Sequence, residues 1–112
     1  MDVDYIVLAG WMRILSSKFI QAFPDRIINI HPSLLPKYKG LDPIQRSLDN
    51  GDEVTGCTVH MVTEELDSGK ILMQEEVEIF PYDTIESVTR AVHQAEHRIL
   101  PEVLRNLNIN GE

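Results

Sequence analysis

Two short apolar runs with a helical pattern between them constrain this chain more than any other feature. Val3 to Ala9, with Tyr5-Ile6-Val7-Leu8-Ala9 at its heart, ends at Gly10 and reads as a strand buried on both faces of a parallel sheet. Ser16-Ser17 then offers a cap for a helix through Phe23, with Phe19, Ile20 and Phe23 on one stripe and Pro24 closing it. Ile27-Ile28-Asn29-Ile30 is the next strand. Strand, helix and strand in succession make a βαβ unit, which pairs the two strands in parallel and puts the chain in the α/β class.

The second strand runs into Asn29-Ile30-His31-Pro32-Ser33-Leu34-Leu35-Pro36. Asn29 and His31 stand two apart, so on a strand they face the same way. Pro32 keeps His31 out of the α region, and Pro32 to Gly40 reads as an extended loop. Asp42-Pro43 supplies a cap and an N1 proline for a helix to about Asn50, ended by Gly51. Val54 to Val62 alternates as a strand, with Cys57, Val59 and Met61 on one side and Thr58 and His60 on the other. Thr63 to Gly69 is a polar, turn-rich loop, and a strand from Ile71 to Ile79 completes a hairpin with its predecessor. Asp83 and Glu86 have the spacing of a capping box, and Ile85, Val88, Val92, Ala95 and Ile99 repeat as a long helix. Pro101 is expected to break or kink that helix, and Asn108 to Glu112 to fray.

At 112 residues the chain is expected to form one unit, and no apolar run approaches the ~20 residues of a membrane span. The acidic start Met1-Asp2-Val3-Asp4 differs from the basic opening of a signal peptide, so a cytoplasmic location is expected. A single cysteine, Cys57, is compatible with a reducing compartment. The net charge of −8 argues against a nucleic-acid binder. Yet residues 11–46 hold six basic and two acidic side chains, so this third is positive and could meet an anionic small molecule. Trp11 and the three tyrosines form no stacking platform for single strands.

An amide donor beside an imidazole suits attack on a carbonyl-type carbon. A carboxylate within reach of His31 would favour its cationic form, and Asp67, in the polar loop, is the candidate. A histidine at a strand end is also often only a hydrogen-bonded structural residue.

The ordered blocks Gly10-Trp11-Met12-Arg13-Ile14-Leu15, Asn29 to Pro36, Thr58-Val59-His60, Glu65 to Gly69 and Gln94-Ala95-Glu96-His97 closely resemble the glycinamide ribonucleotide formyltransferase family of purine biosynthesis. The resemblance covers nearly the whole chain and implies the C-terminal portion of a Rossmann-like formyltransferase fold, with a mixed, mostly parallel sheet flanked by helices. Residues 1–112 would then be a single partial domain lacking the N-terminal half that carries a glycine-rich phosphate turn. It further implies transfer of the formyl group of 10-formyltetrahydrofolate to the amine of glycinamide ribonucleotide, with no metal. His31 would be the general acid, Asn29 the donor to the formyl oxygen, and Asp67 the group that holds His31 protonated and orders a water. Met12, Arg13, Ile14 and Leu15 match the segment lining the pterin site, and Thr63, Glu64, Glu65, Leu66 and Asp67 match the loop closing over it. Glu96 matches a carboxylate that contacts the acceptor's ribose hydroxyls, and His93 is assigned to the same side. The family also suggests a cis Leu35-Pro36 bond.

Pro43-Ile44-Gln45-Arg46-Ser47 with Thr55-Gly56 resembles methionyl-tRNA formyltransferase instead, and formyltetrahydrofolate hydrolase is a third relative to weigh. A non-catalytic folate-binding fragment is the alternative of another class, dependent on the missing half or prone to self-association through its first strand. His93-Gln94-Ala95-Glu96-His97 also spells the order of inverted zinc proteases, a weak five-residue match. Cys57 and His60 fall on opposite faces of one strand, which argues against a cysteine nucleophile and for a buried structural thiol.

Overall fold

The computed structural model describes residues 5–9, 17–23 and 26–110. Its sheet has four strands, β1 (Ile6–Ala9), β2 (Ile27–His31), β3 (Val54–Met61) and β4 (Ile71–Glu78), in the order β1-β2-β3-β4. Three helices accompany them among the described residues: α1 (Ser17–Ala22), α2 (Pro43–Asp49) and α3 (Ile85–Asn110). β1 and β2 run parallel, as a βαβ crossover requires. The sheet is mixed, but within the described residues β2–β3 and β3–β4 are both antiparallel, so it is not mostly parallel. For β3–β4 the reason is local: a single polar loop joins them, and a hairpin can only close antiparallel.

Alternation along β2 and β3 separates two environments. Ile28 and Ile30 of β2 and Cys57 and Val59 of β3 form a core with Val88, Val92, Ala95, Ile99 and Val103 of α3. Those five α3 residues fall at helical spacing on one stripe, and burying it against the sheet is what makes this long helix stable. Their neighbours in sequence, Asn29, His31, Thr58 and His60, point to the opposite face and are also buried. Register aligns them, with Asn29 opposite His60 and His31 opposite Thr58.

Several local expectations change. β1 is not buried on both faces, since Val7 is 37% exposed. It closes one end of the described sheet, where fewer neighbours cover it. Asp42 adopts a left-handed conformation (φ 53°) and makes no side-chain cap, so the Pro43 N-terminus is set by proline geometry and not by an Asp cap. The capping box of α3 is Thr84 with Ser87: the Ser87 amide donates to Thr84 Oγ1 (3.1 Å) and the Thr84 amide to Ser87 Oγ (2.9 Å). Asp83 instead accepts from the Phe80 amide (2.8 Å) and the Ser87 hydroxyl (2.7 Å), which displaces Glu86 from the expected role. Pro101 does not break α3, which continues to Asn110. Proline in a helix interior costs about 3 kcal/mol, and the buried contacts of Ile99 and Val103 on either side offset it. The helical backbone runs past Asn108 to Asn110.

Candidate active site

The polar face of β2 and β3 is roofed by the loops of residues 32–42 and 62–70. Thr58 anchors the first loop: its hydroxyl donates to the Ser33 carbonyl (2.7 Å) and accepts from the Leu35 amide (3.1 Å). Gln74 of β4 adds a bond from its amide to the Leu35 carbonyl (2.8 Å). Ser33 donates to the Lys37 carbonyl (2.6 Å), and the Leu35-Pro36 peptide between them is cis, as the sequence resemblance implies. Leu34 packs over Gly56, where a Cβ would lie only 2.7 Å from its Cδ2. These bonds give the proline-rich loop one course over the sheet.

The loops are clipped to each other at Gly40. Its amide donates to Asp67 Oδ2 (2.8 Å), and Lys39 donates to the Ser68 hydroxyl (2.7 Å). Gly40 has φ +89°, a left-handed backbone that favours glycine. Two residues beyond Asp67, the backbone of Gly69 runs so close to Met61 that a Cβ would lie 1.7 Å from the Met61 carbonyl oxygen. Asp67 itself is left-handed at φ 47°. It is thus carried inward by a constrained loop, and its side chain is only 8% exposed.

Asn29, His31 and Asp67, separated by as many as 38 positions in sequence, meet here, and His60 joins them. Asp67 Oδ2 lies 3.6 Å from His31 Nδ1, and Asp67 Oδ1 lies 3.8 Å from His60 Nε2. Both separations exceed a direct hydrogen bond but lie well within Coulombic reach. His31 Nε2 stands 2.8 Å from the Tyr38 carbonyl, which can only accept, so Nε2 carries a hydrogen and Nδ1 is the nitrogen free to gain or lose a proton.

The same logic fixes His60. Its Nδ1 faces the Met61 carbonyl at 3.1 Å and must be the donor. Burial lowers its pKa against the smaller opposing pull of the Met61 carbonyl and of Asp67, so the ring is neutral at pH 7 with its Nε2 lone pair exposed to the site. Asn29 Nδ2, 3.4 Å away, donates to that lone pair, which orients the amide. A shift in β3–β4 register between Val59 and His60 sits beside this contact, a common device for aiming a side chain. Among the described residues Asn29 Oδ1 is a buried polar atom with no hydrogen-bond partner, and such an atom costs stability unless something donates to it.

The described members of the other loop assignment, Thr63, Glu64, Glu65 and Leu66, lie on the exposed stretch before Asp67. The Thr63 hydroxyl bonds the Glu65 backbone, Glu64 accepts from Gln21 of α1 (3.1 Å), and Leu66 is half exposed. Met12, Arg13, Ile14 and Leu15 lie outside the described residues. Glu96 and His93 are on α3, which packs on the opposite, apolar face, and among the described residues no hydrogen bond or ion pair joins either to Asn29, His31 or Asp67. Glu96 is half-buried, and burial raises its carboxyl above the ordinary range despite the nearby His93 and His97. Among the described residues no cluster of His, Cys, Asp and Glu is arranged to hold a metal, so the His93-Glu96-His97 order has no zinc-site geometry. Cys57 is fully buried in the core with its thiol pushed up to about 12, as a structural thiol should be. No helix of the described residues is long and apolar enough to cross a membrane.

Sequence reasoning overlooked three members of the site. His60 was legible as a residue on a polar face, but its partnership with Asn29 depends on strand register. The Tyr38 carbonyl and Gly40 amide are backbone groups, and only the loop's path brings them to His31 and Asp67.

A family model described as formyl transferase matches residues 1–104. The chain belongs to the formyltransferase family. This formyltransferase chain is 52% identical over 103 residues to phosphoribosylglycinamide formyltransferase of Haemophilus influenzae, covering 92% of the chain and 49% of that protein. Its fold matches the crystal structure of phosphoribosylglycinamide formyltransferase from Bacillus halodurans with a TM-score of 0.92 at 42% identity, covering 98% of the chain and 57% of that structure. A formyltetrahydrofolate deformylase from Pseudomonas syringae also matches, with a TM-score of 0.85 at 37% identity, covering 91% of the chain and 34% of that structure. The chain spans about half the length of the curated phosphoribosylglycinamide formyltransferases it matches.

Proposed function

We propose that this chain supplies the formyl-transfer half of a phosphoribosylglycinamide formyltransferase, a step of purine biosynthesis in the cytoplasm. The observation that carries the reading is the convergence of Asn29, His31 and Asp67 on one buried polar face, with the Asn29 amide nitrogen anchored by His60 and Asp67 beside both histidines. The donor, 10-formyltetrahydrofolate, supplies a formyl group on a nitrogen, and no metal is invoked.

Each residue has a task that its surroundings support. The Asn29 amide, oriented by neutral His60, donates to the formyl oxygen as charge grows there during attack by the acceptor amine. His31, with Nε2 committed to the Tyr38 carbonyl, works through Nδ1: it delivers a proton toward the departing folate nitrogen. Asp67, 3.6 Å from His31 Nδ1, leaves a gap that suits an ordered water carrying the proton released by the amine. The nitrogen–carbon bond to the acceptor forms and that to the folate breaks, so the proton count balances without a covalent enzyme intermediate.

Met12 to Leu15 and Thr63 to Leu66 are assigned to the pterin ring, and exposed Leu66 supports an apolar contact there. Glu96, with His93 one turn before it, is assigned to the acceptor's ribose, where a carboxyl with its charge disfavoured by burial gains from accepting hydroxyl hydrogen bonds. The partners are therefore small molecules, together with the remaining half of the longer relatives' fold.

Titration calorimetry with a non-reactive folate analogue, followed by a formyl-transfer assay with glycinamide ribonucleotide, tests this. The expected outcome is measurable folate binding with weak transfer, or none, by the chain alone. Absence of folate binding overturns the site assignment. Formate release without formylated product assigns the chain to the hydrolytic branch of the family instead.

A further inference from the structure

We propose that Asp52 and Arg46, neither of which reaches the polar pocket, are positioning residues for His31 and act through Tyr38. The link begins at the Tyr38 carbonyl, which accepts the His31 Nε2–H at 2.8 Å and thereby selects the tautomer that leaves Nδ1 toward Asp67. Where its carbonyl faces His31, Tyr38 holds φ 58°. A bulky residue rarely adopts this left-handed backbone unless its surroundings impose it.

Here the surroundings are specific. The Tyr38 phenol donates to Asp52 Oδ2 at 2.6 Å, across the chain from the loop between α2 and β3. The Arg46 guanidinium of α2 lies 5.3 Å from the ring centroid, and Lys37 Nζ lies 5.8 Å from it. Arg46 Nη1 also donates to the carbonyls of Lys39 (2.6 Å) and Leu41 (3.0 Å), the residues that carry the loop away from Tyr38. Asp52 is in turn fixed: its amide donates to the Ser47 carbonyl (3.1 Å), Asn50 donates to its Oδ1 (2.8 Å), and Lys37 Nζ is 3.6 Å from its Oδ2. Ring, phenol oxygen and following backbone are all held from α2 and the turn after it. The phenol bond also raises the Tyr38 pKa and lowers that of Asp52, so donor and acceptor keep their roles at neutral pH.

The effect on His31 is a matter of geometry and stands apart from the reaction. Its consequence for turnover rests on the formyl-transfer reading. Long-range proton–nitrogen NMR of the nitrogen-labelled 112-residue chain, at alkaline pH where imidazoles are neutral, reports the tautomer directly. The unaltered chain is expected to show His31 as the Nε2–H form. Tyr38→Phe and Asp52→Ala each remove the phenol–carboxylate bond and are expected to shift the His31 tautomer ratio by roughly fivefold toward Nδ1–H. The double variant should shift it no further, because both changes delete one bond. Asp52→Asn keeps an acceptor for the phenol and should restore the parent spectrum. Arg46→Ala should move the ratio the same way by less.

An unchanged His31 spectrum in folded Tyr38→Phe overturns the proposal. Should Asp52→Ala fail to fold, Tyr38→Phe against Asp52→Asn decides the matter alone, since each is close to isosteric. Where transfer is measurable, the shifted variants should lose kcat at unchanged KM for the formyl donor, and loss of kcat without a tautomer shift would refute the route through Tyr38. If the parent chain binds no folate analogue, the functional reading fails and the NMR result still judges this one.

Discussion

The two faces of β2 and β3 carry equally buried residues, yet they are buried for different reasons. On one face Ile28, Ile30, Cys57 and Val59 meet the apolar stripe of α3, and every contact is non-directional. On the other, Asn29, His31, Thr58 and His60 are covered by loops and held by hydrogen bonds: the histidines donate to the Tyr38 and Met61 carbonyls, Thr58 accepts from the Leu35 amide, and Asn29 donates to His60. The apolar face tolerates exchange of one hydrophobic shape for another at modest cost. The polar face does not, because its hydrogen bonds are directional and removing one partner leaves the other buried and unsatisfied. A strand with period two can thus serve as core and site at once, provided that different elements cover its two sides.

The sharpest break between the faces should appear at neighbouring positions. His31→Ala is expected to lower formyl transfer by about 10²–10⁴-fold, the usual range for a lost general acid, with folate-analogue affinity nearly unchanged in calorimetry. Equal loss of binding and transfer would make His31 a structural residue. Across the sheet, Ile28→Ala removes a fully buried side chain from the core and should destabilise the chain by about 2–5 kcal/mol in denaturant unfolding. A loss below about 1 kcal/mol would mean that the core collapses around the gap and that the contrast between faces is overstated.

A pH experiment sharpens the comparison further. His60 has its folded pKa lowered by burial below the ordinary 6.5, so the unfolded chain binds a proton more readily. Its contribution to stability is complete above pH 6.5 and is lost as pH falls from there toward the folded value. Thermal melts of the parent and of His60→Gln should therefore diverge in slope on the acid side of that point and run parallel above it. Parallel curves throughout would show His60 to be solvated.

The smallest effect belongs to Cys57. With its thiol at about 12, the thiolate is negligible at pH 8, so alkylating reagents should label it only as fast as the chain unfolds. Rapid labelling under native conditions would show the α3 face to be open.

Much of this division was readable beforehand, and the reason is periodicity. The alternation of Cys57, Val59 and Met61 against Thr58 and His60 assigned the faces of β3, and the repeat from Ile85 to Ile99 gave the long helix whose packing on one of them the fold decided. Errors fell where local rules competed with tertiary contacts. A break at Pro101 lost to the packing of Ile99 and Val103, and the Asp83–Glu86 spacing lost to Thr84 and Ser87, which offered equivalent side-chain bonds one residue later.

The sequence by itself determined the α/β class, the family and the shared direction of Asn29 and His31, because each follows from short-range spacing or from residue strings. Only the tertiary structure decided what those side chains meet. Asp67 reaches His31 through a left-handed turn behind Gly69, His60 orients Asn29 through strand register, and Tyr38 presents its carbonyl through contacts with α2 and Asp52. A proton's place on an imidazole is set by such neighbours, and neighbours distant in sequence are chosen by the fold.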